Sequence, residues 1–288
     1  MERPPLQTGL TAVVIGAGLG GLASALRLQS AGWRVTVCDN GAAPGGKMSR
    51  FRSRGFSFDT GPTLLTMPHI LSRLYSDLGE RMEEHLQLAP LDPHAEYIFP
   101  DGARFIVPSQ LEDWLETVRR LEPEDAGAVR LLHAAGEKIF QLSELTFFRN
   151  HPLTPLRPPP LEALWRLPLR NGWGNYARTV QRRIRSPYLR RIYNRYPTYV
   201  GSSPYLSPAT LLVIPFLEHA FGAWFVKGGL YRIVESLSEL ALKRGIEFRF
   251  NTQARKIESR NGHLSGVIFD DGSHLQARVV VYNGDAAG

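Results

Sequence analysis

The feature that most constrains this chain is the run Gly16-Ala-Gly18-Leu-Gly20-Gly21, set between two stretches of β pattern. Before it, Thr11 to Ile15 (TAVVI) is a short apolar run. After it, Leu22, Ala25, Leu26 and Leu28 share one helical stripe, and Gly32 follows the end of that helix. Trp33 to Asp39 (WRVTVCD) then alternates Val35 and Val37 and finishes on an acid. Strand, glycine turn, helix and strand in about 30 residues make a βαβ unit, whose strands are parallel. Gly16, Gly18 and Gly21 hold the spacing of a dinucleotide fingerprint. The first glycine makes the tight turn, the second lets the backbone approach a pyrophosphate, and the third lets helix and strand pack closely. The free N–H groups of the helix N-terminus then face the phosphates. Asp39 stands where a carboxylate accepts from ribose hydroxyls. A glycine-rich turn that binds nothing is the competing reading, and the flanking strands and the acid count against it.

This unit alone does not separate FAD from NAD, but the next two turns favour FAD. Pro44-Gly45-Gly46-Lys47 comes directly after Asp39, where an NAD-binding domain would continue into its next helix. Two glycines beside a cation make a second loop suited to the remaining pyrophosphate charge. Asp59-Thr-Gly61-Pro62-Thr63 is a third turn of small residues, tight enough to run beside a flat ring, although taken singly it reads as a plain β-turn.

Downstream, β-like stretches flank Ser53-Arg54-Gly55 and Asp101-Gly102, each a hairpin signal. A helix is expected from Met67-Pro68 to Gly79. Ser109-Gln-Leu-Glu112 reads as a capping box opening a helix toward Leu121, and a further helix runs from Pro123 to Leu145. Residues 151–168 hold six prolines and exclude regular helix. Helical patterns return between Gly174 and Arg195 and between Pro208 and Phe221. From Lys227 a Gly-Gly pair opens a helix over 230–244, followed by four short β runs between Ile246 and Asn283, the last of them (ARVVVY) a buried-strand signal. The order predicts an α/β fold: a Rossmann-like nucleotide domain (1–66 and 224–288) split by a mainly helical insertion (67–223).

The three glycine motifs together resemble the phytoene desaturase branch of the flavin amine-oxidase superfamily. The resemblance continues through Thr198 to Pro208 (TYVGSSPYLSP), Pro215 to Glu218, Gly222 to Gly229 and Asn283-Gly-Asp285. The stretch Val226 to Tyr231 (VKGGLY) is especially similar to dehydrosqualene desaturases. The resemblance implies a GR2-type flavoprotein in which Gly16, Gly18, Gly20, Gly21 and Asp39 hold the ADP half of FAD. Gly45, Gly46 and Lys47 would take the pyrophosphate side, Gly61, Pro62 and Thr63 would lie by the flavin, and Ala254 would offer backbone to the adenine. It further implies hydride transfer to flavin from a hydrophobic polyene, as desaturation or oxidation in carotenoid biosynthesis. Asp39 stands where glutamate is commoner in the family. Relatives of this kind are longer and their last segment closes over the flavin, so a missing C-terminal part is expected. A flavin amine oxidase, and an inactive truncated nucleotide-binding chain, remain the alternative readings.

No nucleophilic triad, metal spacing or paired carboxylate stands out, and no catalytic residue is assigned. Glu218-His219 is the one titratable pair in the most apolar window, 206–226, and reads either as a base or as a satisfied structural pair. Prolines and charges interrupt that window, which predicts a buried helix or tunnel wall and no bilayer span. The N-terminus lacks a signal-peptide core, and the single cysteine, Cys38, rules out an internal disulfide, so a cytoplasmic location is expected. The net charge of +7 comes from one segment, Arg157 to Arg195, with ten Arg against the single acid Glu162. Trp165, Trp173, Tyr176, Tyr188, Tyr193 and Tyr196 interleave with it. Such a mixture suits an anionic membrane surface holding a polyene substrate, or a solvated helical face. Nucleic acid would suit the same residues, but the flavin motifs put it a distant third, and no nucleic-acid partner is expected.

Overall fold

The computed structural model describes residues 9–144 and 174–285. The chain divides into two units, Met1–Ala89 with Trp224–Gly288, and Pro90–Ala223.

In the first unit, the apolar run expected at the start is β1 (Thr11–Ile15), followed by α1 (Leu19–Ser30) and β2 (Arg34–Cys38). A hairpin comes next, β3 (Arg50–Ser53) and β4 (Phe56–Asp59), and then the short β5 (Leu65–Thr66), α2 (Pro68–Asp77) and β6 (Leu88–Pro90). The first segment thus runs on to Ala89, past the expected boundary at 66, because Leu71, Leu74 and Tyr75 of α2 join the core of this unit. The second unit opens with the hairpin β7 (Ala95–Ile98) and β8 (Arg104–Val107). Among the described residues its α-helices are α3 (Leu111–Leu121), α4 (Ala126–Ser143), α5 (Tyr176–Arg183), α6 (Pro187–Arg195) and α7 (Val213–Phe221). Strand β9 (Ala223–Val226) carries the chain back into the first unit. There α8 (Tyr231–Lys243) leads to β10 (Glu247–Arg249), β11 (Ala254–Arg260), β12 (His263–Phe269), β13 (His274–Gln276) and β14 (Val279–Tyr282). Five strands stand here where four runs were expected.

The first unit is a layered α/β structure. Its sheet has the order β10-β2-β1-β14, with all three pairings parallel. Strand alternation sends Ala12, Val14, Val35 and Val37 to one face, where Leu22, Ala25 and Leu26 of α1 and Ile233, Val234 and Leu237 of α8 cover them. Val13 and Cys38 point the other way, onto Val267, Phe269 and Ala277 beside the antiparallel sheet β11-β12-β13. Parallel strands carry such apolar runs because both faces are covered. β14 is only half-buried, with Tyr282 exposed.

In the second unit α3 begins without the expected capping box. Gln110 occupies the N-cap and makes no side-chain cap bond, while the Ser109 N–H donates to Asp92 Oδ1 at 2.9 Å. The basic segment also differs from expectation. Tyr176, Tyr193 and Tyr196 are core residues, packed with Trp114, Leu132 and Val180. Arg178, Arg182 and Arg191 of α5 and α6 are exposed, whereas Arg195 turns inward, 3.6 Å from the buried Glu218. Arg157, Arg166, Arg170, Trp165, Trp173 and the proline-rich stretch lie outside the described residues. In the apolar window, α7 is a partly buried helix, but Leu206 is exposed. Among the described residues no helix is long and apolar enough to cross a membrane.

Candidate functional site

At the C-terminal ends of β1 and β2 the first unit has a cleft of about 790 Å³. This is the edge of a parallel sheet where ligands of α/β folds bind. Its wall contains Gly16, Gly18, Gly20, Asp39, Gly45, Gly46, Lys47, Pro62 and Ala254, so nine of the residues singled out from sequence share one cleft. Gly21, Gly61 and Thr63 are not in its wall.

The geometry explains each glycine's place. Gly16 has φ +100°, and its N–H donates to the Cys38 carbonyl at 2.7 Å, closing the turn at the strand end. A Cβ on Gly21 would lie 1.9 Å from the Gly16 carbonyl oxygen, so the helix sits on the turn only because none is there. Gly21 therefore supports the cleft from behind. Gly45, at φ +125°, donates its N–H to the Ala17 carbonyl at 2.9 Å and forms a parallel bridge with Gly18. The two glycine turns thus lie side by side. Gly61 buttresses the second: a Cβ there would stand 2.7 Å from the Lys47 carbonyl oxygen. Thr63 is simply exposed.

The start of α1 is open. Its N-cap is Gly18, with no side-chain cap bond, and its first turn holds no acid. The first N–H groups of a helix lack intrahelical partners, and the helix dipole makes their surroundings favourable to an anion. Asp39 closes the far side of the turn. Its Oδ2 accepts from the Ala17 N–H and its Oδ1 from the Gly41 N–H, both at 2.7 Å. An ionised carboxylate has roughly four acceptor sites, so room for ribose hydroxyls remains. Lys47 is in the cleft wall with its amine 2.9 Å from Asp285, both side chains largely in solvent. Ala254 begins β11 beside Thr252 and Gln253, which also line the cleft.

One residue of the site went unassigned in the sequence. Asn283 follows β14, donates its backbone N–H to the Ile15 carbonyl at 2.8 Å, and sets its side-chain amide over the glycine turn, with Nδ2 3.4 Å from the Gly16 carbonyl. Cβ atoms on Gly18 or Gly20 would meet that amide at 3.1 and 2.6 Å. The signal was its position at the end of a strong strand pattern.

Beneath the cleft, Arg50 ties the hairpin to α8. Its guanidinium donates to Asp59 Oδ1 at 3.0 Å, Glu235 Oε1 at 2.8 Å and the Gly228 carbonyl at 3.0 Å, and it stacks 4.8 Å over the Tyr231 ring. Tyr231 donates its N–H to Asp59 and its hydroxyl to the Pro44 carbonyl. Burial raises the Asp59 carboxyl, but the bonds from the Tyr231 N–H and Arg50 outweigh it and hold the group below the usual carboxylate range.

Glu218 and His219 belong to a network inside the second unit. The Tyr199 hydroxyl donates to Glu218 Oε1, Arg195 stands 3.6 Å away, and His219 Nδ1 meets the Pro215 carbonyl at 3.1 Å. The rings of His133 and His94 pack edgewise on His219 at 4.8 and 5.6 Å. These partners occupy one polar atom of each residue, while Glu218 Oε2 and His219 Nε2 are buried without a hydrogen-bond partner among the described residues, so the pair is only half satisfied. Among the described residues no cluster is arranged to hold a metal ion.

Residues 19–287 match the family described as flavin containing amine oxidoreductase. The chain is 31% identical over 281 residues to a 4,4'-diapolycopene oxygenase of Methylomonas sp, covering 94% of this chain and 55% of that protein. It is 33% identical over 278 residues to a 1-hydroxycarotenoid 3,4-desaturase of Flavobacterium sp., covering 95% and 56%. The chain thus spans about half the length of the curated relatives it matches. Among solved structures, an oxidoreductase from Methanosarcina mazei shares the fold at a TM-score of 0.67 and 19% identity, over 95% of this chain and 58% of that one.

Proposed function

The chain belongs to the family of flavin-containing amine oxidoreductases, and from that premise we propose that it works as an FAD-dependent oxidoreductase that desaturates or oxidises a long isoprenoid carotenoid precursor. FAD is the cofactor the family implies, and the cleft fits it. The supporting observation is the open start of α1, where glycines leave a cradle that side chains would fill and no acid competes for an anion. The names of the curated relatives support the polyene substrate.

In this reading Gly16, Gly18, Gly20, Gly21 and Asp39 hold the ADP half, with Asp39 both fixing the turn and accepting from ribose. Gly45, Gly46 and Lys47 meet the pyrophosphate side, Pro62 with Gly61 and Thr63 the flavin end, and Ala254 the adenine. The first unit is the FAD-binding part and the second the substrate part. FAD supplies the hydride acceptor, so that two hydrogens leave adjacent carbons as hydride and proton and a single bond becomes double. The protein's share is position and dryness. The enzyme is cytoplasmic and works at a membrane surface, where its substrate is dissolved.

The test is to purify the chain with added FAD, desalt it, and record the visible spectrum. Flavin bands that persist support the reading. A Gly18→Glu chain, which sets a carboxylate at the open helix start, should lose them. Incubation of the loaded protein with an acyclic polyene in vesicles should move the pigment absorption to longer wavelength. Peroxide released from a diamine, with no pigment change, would instead favour an amine oxidase. Failure to retain flavin in this chain and in a longer one would overturn the assignment.

A further inference from the structure

The segment Val226 to Tyr231 (VKGGLY) ends at the start of α8, outside the cleft wall and beside β4. Its last residue is fixed by Asp59, the end of β4, whose Oδ2 accepts the Tyr231 N–H at 3.0 Å. Gly229 makes that approach possible. A Cβ there would stand 2.3 Å from Asp59 Oδ2, so any larger residue would push the carboxylate away. The Arg50 guanidinium lies 4.8 Å over the Tyr231 ring and also holds Asp59 and the Gly228 carbonyl. Tyr231 is therefore held from its backbone and from the face of its ring.

The far end of that ring meets the second glycine turn. The Tyr231 hydroxyl donates to the Pro44 carbonyl at 2.9 Å, and a Cβ on Gly45 would lie 3.0 Å from Tyr231 Cε2. On its other side the same turn meets the first one, through the Gly45 N–H bond to the Ala17 carbonyl at 2.9 Å. The Met48 N–H returns to the Gly45 carbonyl at 3.0 Å and closes the turn. Gly46 and Lys47 form its exposed crest in the cleft wall. Glycine has more backbone freedom to lose than any other residue, so a Gly-Gly turn keeps one shape only where its flanks are held. Here one flank is held by the first glycine turn and the other by Tyr231.

We propose that Tyr231 is a positioning residue for the cofactor. Its hydroxyl and ring edge hold Pro44 and Gly45 against the first glycine turn, so that Gly46 and Lys47 stand ready for the pyrophosphate side of FAD. The inference rests on the FAD reading above and extends it to a residue outside the cleft wall. A turn already set in its bound shape loses less freedom on binding, and affinity rises accordingly. A split between ligands follows. FAD spans both turns, whereas AMP, with a single phosphate, needs only the first turn and Asp39.

Tyr231→Phe tests it, since the ring, its stacking with Arg50 and its contact with Gly45 remain and one O–H is lost. Calorimetric titration should find FAD binding about three- to tenfold weaker, the effect of one lost hydrogen bond, and AMP binding at the parental strength. Hydrogen exchange gives a readout that needs no ligand. The Gly45 amide should exchange faster by a similar factor, and the Gly16 amide, bonded to the Cys38 carbonyl, at the parental rate. Far-ultraviolet circular dichroism and the urea midpoint confirm that the variant folds. FAD and AMP weakened equally would overturn the proposal in favour of a general loosening of the unit. If the variant binds FAD as the parental chain does, or if its Gly45 amide exchanges at the parental rate, the role of Tyr231 falls while the FAD reading stands. If the parental chain takes up no FAD, alone or in a longer form, the FAD reading falls and the role of Tyr231 with it.

Discussion

Gly21→Ala is the sharpest test of how the cradle is built. The added methyl would stand 1.9 Å from the Gly16 carbonyl oxygen, 3.1 Å from its carbon and 3.1 Å from Asn283 Nδ2. Close C···O approaches in proteins stop near about 3.3 Å, so the start of α1 must lift off the turn by roughly 1.4 Å. Backbone is on both sides of the clash, and the turn is held by the Gly16 N–H bond to Cys38, so no flexible end can give way. Forcing extra volume into a packed site costs about 1–3 kcal/mol and occasionally more. Gly20→Ala is the control. Its methyl would be 2.6 Å from Asn283 Oδ1, the end of a side chain that can rotate, and alanine gains about 0.5–1 kcal/mol over glycine inside a helix. Urea unfolding followed by circular dichroism should therefore find Gly21→Ala destabilised by about 2 kcal/mol or more and Gly20→Ala near parental. Flavin retention should fall in Gly21→Ala, because the N–H groups move with the helix. Equal losses in the two variants would refute the argument that the Gly16–Gly21 contact sets the geometry.

Arg50→Met should cost about 1.5–3 kcal/mol, since it removes a charged partner from Asp59, which keeps the Tyr231 N–H, and from Glu235, which keeps Arg232, and Arg50→Lys should recover little because one ammonium cannot reach three acceptors. Urea midpoints decide, and a loss under about 1 kcal/mol would contradict the hub. Stability should also fall on acidification through the histidine cluster. Burial, aided by the neighbouring His219, pushes His133 from 6.5 to about 3. A folded pKa below the unfolded one means the stabilisation is complete above pH 6.5 and is lost as pH falls toward 3. From pH 6.5 to 4.5 that is about 2 kcal/mol, and His133→Gln, which can still bond the Tyr193 hydroxyl, should flatten the pH profile.

What the sequence made legible was what is local. The fingerprint glycines, the hairpin turns at Arg54-Gly55 and Asp101-Gly102, and the stripe of α1 each depend on neighbours within a few residues, and each stands where its pattern put it. The capping box at Ser109 failed for an equally specific reason: the Ser109 N–H is held by Asp92, and the helix starts one residue later than that box requires. The tyrosines among the arginines were misleading because charge density outweighed periodicity. Tyr176 and Val180, and Leu189, Ile192 and Tyr193, follow the helical spacing of a buried stripe, and the arginines fill the remaining positions.

The completion of the cradle could not be read locally. Asn283 lies 267 residues from the carbonyl it meets, and it arrives there only because β14 pairs in parallel with β1, Ala12 against Val279 through Ile15 against Tyr282. A parallel pair requires a crossover, and here the crossover contains the whole second unit. The glycine turn is consequently finished by the last described strand of the chain, and the Lys47–Asp285 pair closes the same loop across 238 residues. Binding at this cleft would then stabilise the pairing of β1 with β14, since Asn283 reaches the glycine turn only through that pairing. A ligand that binds the folded cradle and not the unfolded chain raises stability by its own mass action, and the elements it couples most tightly are β1 and β14.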